Sequence, residues 1–177
     1  MILKNISKTF IVCSTLFLLI PYVSFGYYTT NQYAKRITNN TALYTITYTF
    51  GLQHKDLYMP ITVSRGLSFG DSKDIFSLGY SVTPSEHGSS LYGHTTGLVL
   101  SSAPIVDGMY KVKAGTAATF TLVIVLTVDD NDPMAKYALQ VDKLPFIAES
   151  PNGKKELREL NNFELQKYVT PSIGLNR

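Results

Sequence analysis

The chain has 177 residues, 45% hydrophobic and only 16% charged, with a formal net charge of +3 and a single cysteine, Cys13. Such a balance supplies one domain with its own core, and it excludes both a disordered chain and a disulfide-stapled scaffold. Lys4 and Lys8 fall in the first 26 residues; without them 14 basic residues face 13 acidic ones. No Lys/Arg stripe is left that neutralises a run of phosphates, so nucleic acid is not an expected partner.

Met1–Gly26 reads as a secretory signal peptide. Lys4 and Lys8 form a positive start, Phe10–Ile20 is an apolar run, and Ser24 and Gly26 place small residues at the −3 and −1 positions of a cleavage site after Gly26. The run is shorter than the roughly twenty apolar residues that a membrane span needs. An uncleaved anchor or a buried helix is the alternative. Cys13 lies inside the apolar run rather than after it, which argues against a lipoprotein. Cleavage leaves 151 of the 177 residues, without cysteine and without a transmembrane segment. The expected location is secreted, extracellular or periplasmic.

Tyr27–Thr41 is expected to be an exposed N-terminal arm that touches a sheet edge near Tyr33–Ile37, followed by a domain over 42–177. Ala42–Phe50 alternates Tyr44, Ile46, Tyr48 and Phe50 with Thr45, Thr47 and Thr49, the pattern of a strand with one wet face. Leu57–Ser64 reads as a strand that Pro60 confines to an edge or a bulge. Ile75–Thr83 and Thr96–Ala103 are further strands, flanking a Pro84–Thr95 loop, and Asp107-Gly108 is a turn before a short Met109–Lys113 strand.

The segment Thr116–Val128 organises the chain. Phe120, Leu122, Ile124, Leu126 and Val128 recur with period two, and β-branched residues fill the alternate positions, as in a central strand with neighbours on both sides. Ala135–Val141 is another strand, Ser150–Lys155 a polar turn, and Glu156–Lys167 the only helix-compatible stretch, with Asn161 or Asn162 capping one turn. Pro171 interrupts a final edge strand over Tyr168–Leu175. Seven or eight short strands without strand–helix alternation imply an all-β fold, a single immunoglobulin-like antiparallel β-sandwich.

The run Tyr110–Leu122, YKVKAGTAATFTL, resembles a stretch of immunoglobulin-like domains in small exported bacterial surface proteins, where a strand turns at Ala-Gly and re-enters the sandwich with Phe-Thr-Leu. This likeness is to a loose pattern over about Ala42–Phe146. It implies a fold neighbourhood and no activity.

Four sets of residues carry possible chemistry. Gly66-Leu67-Ser68-Phe69-Gly70 matches the G-x-S-x-G nucleophile elbow of serine hydrolases, with Asp71 or Asp74 and His87 or His94 following in order. Its flanks alternate like strands instead of leading into a helix, so a plain glycine-rich turn is the simpler reading. Asp129, Asp130 and Asp132 offer oxygen ligands for calcium but lack the glycine and glutamate of an EF-hand, and Asp and Asn also serve turns. His87 and His94, with Glu86 nearby and His54 as a third ligand, fit no standard zinc spacing. Tyr92 with His87 and His94 makes the Pro84–Thr95 loop a candidate ligand site, because binding residues concentrate on such loops.

Tyrosine stands out, with 12 in the chain and 11 after Gly26. On a surface these rings stack on sugars or anchor protein partners, but the simpler reading makes Tyr44, Tyr48, Tyr80 and Tyr137 core or half-core residues with their hydroxyls at the rim. The leading expectation is a non-enzymatic secreted or cell-surface module for adhesion, surface structure or assembly, with a protein or surface glycan as partner, or with self-association through Tyr27–Ile37 or Tyr168–Leu175 as donated strands. A glycan- or peptide-binding domain is the alternative, and a serine hydrolase using Ser68 a third. No cofactor is expected, calcium aside.

Overall fold

A computed structural model describes residues 26–51, 54–65, 76–84, 93–129, 135–150, 152–160 and 162–175. In chain order the strands are β1 (Gly26–Arg36), β2 (Thr41–Gly51), β3 (Leu57–Pro60), β4 (Val63–Arg65), β5 (Leu78–Pro84), β6 (Gly93–Ser101) and β7 (Ile105–Val106). There follow β8 (Met109–Val112), β9 (Ala117–Val128), β10 (Ala135–Lys143), β11 (Pro145–Glu149), β12 (Lys155–Glu159), one helical turn α1 (Asn162–Leu165) and β13 (Ile173–Leu175). The protein is all-β. Among the described residues no helix is long and apolar enough to cross a membrane.

Three sheets result, in the spatial orders β1-β2-β9-β6, β13-β10-β5-β4 and β12-β11-β3-β8-β7. Every pairing is antiparallel except β4 with β5. The second and third sheets share chain: only Leu144 separates β10 from β11, and only Ile61 and Thr62 separate β3 from β4. β9 is interior to its sheet, between β2 and β6, as its period-two pattern predicts. Ala118, Phe120, Leu122, Ile124, Leu126 and Val128 are buried on one face.

These residues join Tyr44, Ile46, Tyr48 and Phe50 of β2 in one core with residues from the other two sheets. Phe120 stacks on Tyr48 at 5.6 Å between centroids and meets Tyr110 of β8 edge-on at 5.7 Å, while Phe50 lies 5.8 Å from Phe146 of β11. Burying phenols leaves hydroxyls to satisfy. Tyr44 donates to the Tyr137 carbonyl at 3.0 Å, Tyr110 to the Val99 carbonyl at 3.0 Å, and Tyr80 to Thr95 Oγ1 at 2.9 Å. Burial pushes the Tyr44 and Tyr48 hydroxyls well above the usual phenol range, so both stay neutral.

Several sequence expectations change. The supposed N-terminal arm is a full edge strand: β1 pairs with β2 from Gly26↔Gly51 to Arg36↔Ala42, with an irregularity at Thr29/Asn31. Its weak alternation reflects an edge position, where neither face is fully covered. Leu57–Ser64 splits into β3 and β4, and β3 lies between β11 and β8 rather than at an edge. Pro60 is tolerated there because it is the last residue of its strand.

The helix-compatible stretch begins with a strand instead, since Gly153 at φ 80° and the Ser150 N–H to Lys154 carbonyl bond of 2.7 Å close a hairpin that pairs β12 with β11. Sheet pairing overrides the helix preference of Glu156–Glu159. Asp107 and Gly108 both take positive φ, 51° and 72°, the geometry of a tight two-residue hairpin, as read from the sequence. Splitting strands and the missed β1 and β12 raise the total above the expected seven or eight.

Candidate functional site

The outward face of the first sheet is built by the alternate residues of the strands that build the core. One row across it runs Leu98, Val123, Thr45, Tyr33 through β6, β9, β2 and β1. The row on one side is Leu100, Thr121, Thr47, Asn31; on the other it is Thr96, Val125, Leu43, Lys35. Threonine hydroxyls pair across strands, Thr47 with Thr121 at 3.2 Å and Thr49 with Thr119 at 3.1 Å, which leaves the face less polar than its composition suggests. Tyr33 is 45% exposed, Leu98 45%, Leu100 54% and Val125 38%. In these three rows Lys35 is the one charged side chain, and no carboxylate is present.

A second feature is a cleft of about 380 Å³ at the start of β9, lined by Ser102, Pro104, Lys113 and Thr116 beside Asp56 and Lys111. Asp56 Oδ2 pairs with Lys111 Nζ at 2.7 Å, and Oδ1 accepts the Ala114 N–H at 2.9 Å. The Lys111 ammonium, then the Ala114 amide, hold the Asp56 carboxyl below its usual range. Both oxygens are thus engaged in pinning the β8–β9 turn, where Gly115 takes φ 72°. A carboxylate so occupied is a structural tie rather than a general base.

The residues singled out in the sequence fall differently. His94 is exposed on β6 opposite Thr127, and Asp129 follows the last residue of β9. Gly26, the expected cleavage position, opens β1 opposite Gly51. Ser68, His87, Tyr92, Asp130 and Asp132 lie outside the described residues, as does the signal segment before Gly26. The anchor points of their segments do converge: Gly93 pairs with Val128, Pro84 with Tyr137, and Arg65 Nη1 donates to the Gly93 carbonyl at 3.1 Å.

His54 does not join them. It follows three residues after Gly51, which pairs with Ala117, whereas His94 pairs with Thr127, roughly 33 Å along β9 at the rise of a strand. A zinc site of His54 with His94 is therefore excluded by the register. No group of three metal-ligating side chains occurs among the described residues.

Tyr44, Tyr48, Tyr80 and Tyr137 are buried, so the core reading of these four tyrosines holds, and the exposed apolar side chains of the outward face are Leu98, Leu100, Val125 and Tyr33. That face was legible only in part, as the wet threonine side of β2 and the alternate residues of β9. The Asp56–Lys111 tie had no local signal at all, being formed 55 residues apart. No family model, curated protein or solved structure matches the sequence.

Proposed function

We propose that the chain is an exported, non-enzymatic module of immunoglobulin-like β-sandwich type that serves adhesion, surface structure or assembly at a bacterial surface. The outward face of the β1-β2-β9-β6 sheet carries this reading: it is apolar at Leu98, Leu100, Val125 and Tyr33 and nearly free of charge. A one-sheet face of this kind, on a frame whose opposite side is core, is an interaction surface by composition. The sandwich assignment draws on shared core packing, with side chains of the first sheet against Tyr110, Tyr137 and Phe146 of the other two. Cleavage after Gly26 removes only the Gly26↔Gly51 pair from β1.

The test is expression of the full chain with an export pathway, followed by intact mass and fractionation. The expected product starts at Tyr27 and is found outside the cytoplasm, and Leu100→Lys weakens its retention or assembly while leaving the fold intact. A mass that includes Met1–Gly26, or retention indifferent to Leu98→Lys and Leu100→Lys together, overturns the reading.

A further inference from the structure

We infer that the partner of the outward sheet face is a second copy of this chain, docked sheet against sheet. The inference rests on the surface-module reading and names its partner. Charge comes first. Along the three central rows Lys35 is the only ion, at the β1 margin, so two copies bring together no carboxylate and leave no buried unpaired charge at the centre. A polyanion or an acidic protein would find a single lysine. Among the described side chains of the face a sugar surface would find one exposed aromatic ring, Tyr33, because Tyr44, Tyr48, Phe50 and Phe120 point into the core.

Area is the second argument. Four strands at about 4.8 Å spacing and about eight residues at about 3.4 Å rise give roughly 19 Å by 27 Å, or about 500 Å² per copy. A pair then buries about 1,000 Å², the lower bound for a specific complex, so the dimer is expected to be reversible.

Register fixes which residues each two-fold arrangement brings together. A two-fold axis parallel to the strands sets β1 of each copy over β6 of the other. Because Tyr33 and Leu98 share a row, Tyr33 then covers Leu98, Thr45 covers Val123, and Lys35 covers Thr96. An axis across the strands, through the Tyr33–Leu98 row, would instead set Tyr33 and Leu98 each on its own copy and Lys35 over Asn31. The covered face has Leu43, Val123, Val125 and threonine methyl groups on its two middle strands, with Leu98 and Leu100 on one edge strand and Tyr33, Asn31 and Lys35 on the other.

The test is sedimentation of the secreted full chain over a concentration series up to about 1 mM, alongside Leu98→Lys, Leu98→Ser and, as an off-face control, Ile105→Lys. Ile105 is 59% exposed on β7, in a different sheet. Expected is a wild-type dimer whose dissociation constant rises about tenfold or more in both Leu98 variants and is unchanged in Ile105→Lys. A dimer indifferent to both Leu98 changes overturns the inference. So does a wild-type monomer throughout the series. If that monomer is still held at the cell surface and loses its hold in Leu98→Lys, the surface-module reading survives with a foreign partner; if it is neither held nor assembled, both fall.

Discussion

The two faces of the β1-β2-β9-β6 sheet are drawn from the same strands, yet they resolve their polar groups in opposite ways. Inside, aromatic residues are buried and the Tyr44 and Tyr110 hydroxyls reach across to backbone carbonyls of β10 and β6. Outside, threonines of β2 and β9 bond one another across the ladder, and leucine and valine stand beside them half in solvent. The inner face spends its contacts on other sheets, and the outer one completes itself without them. Stability should therefore reside on one side of these strands and recognition on the other.

The strongest way to break that comparison is Phe120→Ala. Phe120 is fully buried amid Tyr48, Phe50 and Tyr110, so its loss should cost about 3–5 kcal/mol in urea unfolding. The exposed Val125→Ala on the same strand should stay within about 0.5 kcal/mol. Comparable losses would mean that the outer face is also core. Next comes Gly51→Ala, whose added Cβ would stand 2.3 Å from Ala117 Cβ and 2.6 Å from its Cα. The two backbones must separate, at about 1–3 kcal/mol, seen as a lowered unfolding midpoint.

Smaller effects sharpen the contrast. Tyr44→Phe keeps the ring and removes the hydroxyl that donates to the Tyr137 carbonyl, an expected loss of about 1 kcal/mol. Two carboxylates extend the distinction between polar atoms that are answered and those that are not. Among the described residues Asp142 Oδ2 is buried with no hydrogen-bond partner, and burial, against a weaker effect of Ser81, raises its carboxyl above the usual range. A raised folded value means that stability is whole below the unfolded pKa and declines as pH climbs toward the folded one. Asp142→Asn should thus raise stability at pH 7 and leave it nearly unchanged at about pH 3. Asp56 has the opposite sign: its lowered carboxyl contributes above the unfolded pKa, and that contribution fades on acidification. Asp56→Asn should flatten the acid limb of a pH–stability curve. The smallest change is Thr47→Val with Thr121→Val, which should move stability by no more than about 0.5 kcal/mol; a large loss would show that the outer ladder is holding the sheet.

The all-β class, the interior place of β9 and the Asp107-Gly108 hairpin were legible because each is a local signal: a period of two, or a turn needing positive φ. β1 was legible only as an edge contact near Tyr33–Ile37, since an edge strand with neither face fully covered alternates weakly. β12 was hidden by Lys155, Glu156 and Leu157, which favour helices until a partner strand is at hand. The outward face was half legible. Thr45 and Thr47 could be assigned to a wet side of β2, but its apolar centre appears only when Leu98 and Leu100 of β6 are laid beside Val123 and Val125, and that needs the register.

The single residue between β10 and β11, and the two between β3 and β4, tie two hydrogen-bond ladders into one cooperative unit. β5 fills the wedge where those runs part, paired with β10 on one side and β4 on the other. Opening either ladder drags the covalent neighbour of a strand in the other, so neither sheet has a low-energy way to come apart by itself. Amide protons of β3, β5, β10 and β11 should exchange together, with one opening free energy, while those of β12 and β13 at the margins fray earlier.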